Sequence, residues 1–170
     1  MELETLKDLY IEELKDLYSA ENQILKALPR MIKAASHKDL KKAFGAHERQ
    51  TRGHVKRLER ICKQLKVSPK GKKCHGMEGL LEEGKELISE KPEPDVLDAG
   101  LISAAQHVEH YEMAGYGTVR TFARQLGYES QAELLQQTLD EEGDTDKALT
   151  MLAVSTVNID AERGSHVIED

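Results

Sequence analysis

The sequence predicts an all-α fold: a four-helix bundle built from two helical hairpins, joined by a long crossover that contains a short helix. Three observations lead there. Apolar residues recur at helical spacing along nearly the whole chain. Aromatic residues are only 4% of the 170 and Trp is absent, which suits helices better than sheets. Prolines number only 4, and two of them fall in KPEPD (91–95), a natural break between helices.

The first helix is marked by Leu3, Leu6, Tyr10, Leu14, Leu17, Glu21, Ile24 and Leu28, a stripe in steps of three and four. Ser36 with Asp39 resembles a capping box and predicts the start of the second helix there. Its stripe is Leu40, Phe44, His47, Thr51, His54, Leu58, Ile61 and Leu65. The Pro, Gly and Lys content of VSPKGKKCHG (67–76) predicts a loop, and an amphipathic helix follows at about 77–90. The third long helix carries Ile102, Ala105, Glu109, Glu112, Tyr116, Val119, Ala123 and Leu126, and Gly127 ends it. Ser130 and Glu133 predict a second capping box. The fourth stripe is Leu135, Leu139, Glu142, Asp146, Leu149 and Ala153, with fraying expected after residue 160. The bundle is thus expected over 1–160, with a tail at 161–170.

Composition excludes several classes of function. A net charge of −7 disfavours general nucleic-acid binding. No apolar run approaches the roughly 18 residues of a membrane span. The opening MELETLKDLYIEEL is acidic and amphipathic, unlike a secretory or transit peptide, so a cytoplasmic location is expected. Cys62 and Cys74 do not make a disulfide framework. Cys62 reads as a small buried hydrophobe, and Cys74-His75 is too sparse for a zinc site.

Each long stripe is interrupted by polar residues where apolar ones belong. Glu21, Gln50, His54, Glu109, Glu112, Glu142 and Asp146 all fall some 20–29 Å from their hairpin turn at about 1.5 Å per residue. The pairs 50 and 142, and 54 and 146, are both separated by 92 positions, an internal near-repeat. If the hairpins pack with the ferritin-like crossover, these residues meet at one level of the core. Five carboxylates there cannot all stay ionised and unpaired. Two divalent cations would offset most of that charge. Carboxylates with imidazole suit iron or manganese better than structural zinc.

At these residues the chain resembles the YciF-like branch of the ferritin-like superfamily, which is related to rubrerythrin. The likeness is carried by LYSAENQILKALP, HERQTRGHVKRLE, AAQHVEHYEMAGYGTVR and TLDEEGDTDKAL, and runs over about residues 3–160. It implies a di-metal site with two iron ions per chain, manganese being the alternative. Glu21 would be the first-helix carboxylate, and Glu109 with Glu112 the third-helix pair. Gln50 with His54, and Glu142 with Asp146, would replace two Glu-x-x-His motifs at a spacing of four. Gln50 cannot bridge as an anion, which weakens the second position. His47 and His110 read as neighbours of the site or surface groups, and Tyr18, Tyr111 and Tyr116 as core residues able to donate hydrogen bonds to it.

The function expected from this likeness is stress-related redox chemistry on peroxide or O2, with an external electron donor. Iron binding without catalysis, and a structural or interaction dimer with a vestigial site, are the alternatives. A homodimer is expected, through Leu80, Leu81 and Leu87 of the crossover helix.

Overall fold

The computed structural model describes residues 3–164, and within them the predicted architecture is present. The helices are α1 (Leu6–Ala34), α2 (Lys38–Leu65), α3 (His75–Glu90), α4 (Pro94–Gln125), α5 (Glu129–Leu152) and α6 (Asn158–Arg163), with a π-helical stretch Ala153–Val157 between the last two. α1 pairs with α2 and α4 with α5, while α1 against α4 and α2 against α5 join the hairpins.

Two apolar clusters fix the directions. One contains Leu28 of α1, Leu40 and Phe44 of α2, Leu101 and Ile102 of α4, and Leu149 of α5. The other contains Tyr10 and Leu14 of α1, Leu58 and Ile61 of α2, Val119 and Ala123 of α4, and Ala132 and Leu135 of α5. α1 and α5 therefore start at one end of the bundle, and α2 and α4 at the other. The segment between α2 and α4 must run the full length, as a crossover requires. Between the two clusters lies a buried polar layer of Glu21, His47, Thr51, His54, Glu109, Glu112 and Glu142.

Several boundaries differ from the sequence reading. α2 starts after His37, whose ring accepts the Asp39 N–H, and not after Ser36. The reason is long-range. Asp98, 2% exposed at the start of α4, accepts the backbone N–H groups of Ser36 and His37 at 2.7 Å each. That carboxylate does the work expected of a local cap. α5 begins at Glu129 after Tyr128 with no side-chain cap, so Ser130 lies inside the helix. Gly127 does end the third long helix region, at φ +76. Helix continues beyond 160, as far as Arg163, because the π-helical stretch and α6 pack on α4. Residues 165–170 of the expected tail lie outside the described residues.

α3 lies on α1 and α4. Cys74 pins its start, donating its N–H to Ser19 and accepting from Gln23 through its carbonyl. Leu87 sits over Gly100, where a Cβ would come within 2.6 Å of the leucine side chain. Leu80 and Leu81 pack against the first cluster, and Leu87 is half-buried. Much of the apolar face expected to meet a second copy is thus used within the chain. Among the described residues no helix is long and apolar enough to cross a membrane.

Candidate metal centre

All four bundle helices turn ionisable side chains into the polar layer. Glu21 comes from α1, His47 and His54 from α2, Glu109 and Glu112 from α4, and Glu142 from α5. Helical rotation explains the choice. His47 and His54 are seven residues apart, about 20° short of two full turns, so they stack on one face. Glu109 and Glu112, three apart, share the facing stripe of α4. Glu21, His54, Glu112 and Glu142 have 0% exposure, which decides that water cannot solvate their charges.

The ligand atoms gather in two groups. One donor atom from each of His47, Glu109, Glu112 and Glu142 lies within 4.8 Å of the others, and so does one from each of Glu21, His54 and Glu142. Glu142 belongs to both. His54 Nδ1 is 3.0 Å from Glu142 Oε1 and 3.3 Å from Glu21 Oε1. His47 Nε2 is 3.3 Å from Glu109 Oε1. Both imidazole nitrogens of His47, Nδ1 of His54, both oxygens of Glu112 and Glu142, and one oxygen each of Glu21 and Glu109 are buried without a hydrogen bond of good geometry. Buried polar groups are nearly always satisfied, and a donor set of this kind could hold a positively charged partner. Oxygen donors with two imidazoles and no thiolate fit iron or manganese.

Neighbouring side chains set the orientation of the ligands. Arg57 holds Glu141 with two hydrogen bonds, at 2.7 and 2.8 Å, and keeps its carboxyl below the ordinary value. Glu141 in turn takes the Nε2–H of His54 at 2.9 Å. The ring is thereby fixed with Nδ1 facing Glu21 and Glu142, the arrangement by which a carboxylate prepares a histidine for a metal. On the other side, Tyr116 donates its hydroxyl to Glu21.

The sequence reading is corrected at three positions. Gln50 is half-buried, with its amide oxygen 3.5 Å from Thr145 Oγ1 beside the layer. Asp146 is outside the two ligand groups, its carboxylate taken by Gln106 at 3.0 Å and His110 at 3.2 Å. Gln50 lies about 40° from His54 and about 60° from His47, and Asp146 about 40° from Glu142 and about 60° from Leu149, so each falls at the edge of its core face. His47, read as a neighbour, is inside the cluster. The i, i+3 pairs on the core faces are Thr51 with His54 and Glu142 with Thr145, so threonines stand where a Glu-x-x-His pattern has Glu and His. Glu141 and Arg57 were missed, since half-buried charges carry no mark in the sequence.

Without a cation the layer must hold protons. Burial pushes Glu109 and Glu112 well above the ordinary carboxylate value, with Glu142 and Glu21 adding to the effect by repulsion. Burial also raises Glu21. Burial alone would depress His54, but Glu142 and Glu21 outweigh it and bring it to about 10. His54 in return holds Glu142 below the ordinary value in spite of its burial. Burial lowers His47.

These directions predict that the metal-free protein loses stability from pH 7 to pH 9. A carboxyl raised on folding keeps a proton that the unfolded chain releases, so stability falls as pH rises between its unfolded and folded values. Glu21, Glu109 and Glu112 act in this sense above the ordinary carboxylate value, and the window from pH 7 to pH 9 rests on His54. His54 contributes fully below 6.5 and loses its contribution as pH climbs towards 10. Glu142 loses its contribution only in acid, and the opposing effect of His47 is confined to pH below 6.5. The melting temperature, followed by calorimetry, should decline over this range. A flat or rising profile would contradict the buried protonated layer.

Comparison with known proteins agrees with the fold. The family model described as "Domain of unknown function (DUF892)" matches residues 5–162. The chain belongs to this family. It is 45% identical over 163 residues to Protein YciF of Escherichia coli (strain K12), covering 95% of this chain and 98% of that protein. The crystal structure of the E. coli stress protein YciF superposes with a TM-score of 0.88 at 45% identity, covering 92% of this chain and 99% of that one. YcfI from Rhodopseudomonas palustris, provisionally described as a structural protein, gives a TM-score of 0.85 at 38% identity, covering 88% and 95%.

Proposed function

We propose that this chain is a stress-related di-metal carboxylate protein of the ferritin-like type, holding two iron ions and acting on dioxygen or peroxide. The observation that carries the reading is the pair of buried ligand groups that share Glu142. His47, Glu109, Glu112 and Glu142 would hold one ion, and Glu21, His54 and Glu142 the other. Two ferrous ions supply two electrons, enough with two protons to take one hydrogen peroxide to two waters.

The protein's own part is positioning and exclusion. Arg57 and Glu141 keep His54 in its ligating orientation, and Tyr116 fixes Glu21. The apolar clusters above and below the layer keep bulk water out. No cysteine cluster for internal electron delivery exists among the described residues, where both cysteines are buried and free. An external donor would restore the ferrous state.

A purely structural role, the description given for the Rhodopseudomonas palustris relative, accounts poorly for this layer. Packed apolar residues of like volume would stabilise the bundle better than protonated carboxyls around an imidazolium. The test is consumption of dioxygen and of peroxide by protein loaded anaerobically with Fe(II). Turnover above that of the same concentration of free iron is expected, and none beyond free iron would remove the redox reading.

A further inference from the structure

A void opens directly on the ligands. It has room for the centre of about one water-sized molecule, about 20 Å³. Thirteen residues line it, and only His47, Glu109 and Thr145 are polar. Native cores contain few voids of this size. Thr145, three residues after Glu142, is part of its lining.

A thin wall separates this void from a surface groove. The groove, of about 390 Å³, lies between α1, α3 and α4. Ala27, Met31, Leu81 and Val108 line both spaces. These four form the wall between groove and void, and three of them, Ala27, Met31 and Leu81, are only half-buried. Met31 and Leu81 are flexible side chains on different helices, and Leu81 belongs to α3, which lies outside the four-helix core. The wall is apolar throughout. A charged or strongly hydrated molecule would lose its hydrogen bonds on passing it, whereas an uncharged diatomic loses almost nothing.

We propose that dioxygen reaches the centre by this route, from the α1–α3–α4 groove, past the gate of Ala27, Met31, Leu81 and Val108, to the void against His47 and Glu109. The proposal rests on the di-metal reading above and sharpens it, because the lining selects dioxygen over peroxide as the oxidant that enters here. Leu81 and the crossover helix thereby gain a role beyond joining the hairpins. They control access from one side.

Two measurements test it. Crystals of the metal-free protein pressurised with xenon should show the gas in the void beside His47 and Phe44, because dry apolar cavities take up such guests. In protein loaded anaerobically with Fe(II), A27F, and L81W as a second plug from another helix, should slow oxidation by dioxygen roughly tenfold, as altering a gate does. Fe(II) stoichiometry should be unchanged, and so should oxidation by ferricyanide, which is too large to enter. Xenon absent from the void, or wild-type oxidation rates in plugged variants that bind full iron, would overturn the route. Failure of the unaltered chain to bind Fe(II) would overturn the reading of the centre instead, and the xenon position would then decide whether the route exists.

Discussion

Replacing Glu142 with Ala is expected to abolish metal binding at both positions at once. Glu142 is the one carboxylate common to the two ligand groups. Its loss leaves three donors on one side and two on the other. Loss of an outer partner of a ligand typically costs 10–100-fold in affinity, so loss of this shared ligand should cost more than about 100-fold. The substitution also removes a principal counter-charge of His54, which stands 3.0 Å away. Breaking a buried pair from one side costs about 3–5 kcal/mol. Glu142→Gln keeps the side chain's shape and separates the effects. It should fold better than the Ala variant and still bind metal weakly. Calorimetric titration with Fe(II) under nitrogen reads both. Retention of one tight site in either variant would show that the groups are independent.

Neutralising the protonated carboxyls should have the opposite effect on the bare fold. Glu109 and Glu112 are buried among other acids and are pushed well above the ordinary value by that burial. At pH 8 the folded metal-free chain must either carry their protons or bury their charge. Gln at both positions avoids either cost and keeps the volume. The doubly substituted chain E109Q/E112Q should therefore gain about 1–4 kcal/mol when metal-free, or about 2–16 °C in melting temperature at this chain length. It should also flatten the decline with pH, and it should bind Fe(II) far more weakly. A layer that stabilises the metal-free fold is typical of structure, and one that destabilises it is typical of function. A lower metal-free melting temperature in the double variant would show that the carboxyls are structural.

Much of this was legible in the chain because helical periodicity is a strong signal. The stripes gave four long helices, the crossover helix and the polar interruptions at Glu21, His54, Glu109, Glu112 and Glu142. The departures have two causes. The first is angular. Gln50 and Asp146 lie four residues from core positions, close enough to read as one stripe, and fall at the edge of the core face and not at its centre. His47 lies two turns from His54 and so stays on the core face. The second cause is distance in sequence. Asp98 replaces the local cap expected at Ser36, and α4 supports the helix that continues to Arg163. The Arg57–Glu141 pair is 84 residues apart and joins helices from different hairpins. No local pattern announces it.

Whether cations occupy the buried layer is tested most directly by anomalous diffraction at the iron edge from crystals grown with Fe(II) under anaerobic conditions. Two peaks per chain are expected. One should lie among His47, Glu109, Glu112 and Glu142, and the other among Glu21, His54 and Glu142. Iron only on surface carboxylates, with no anomalous density between α1, α2, α4 and α5, would contradict it.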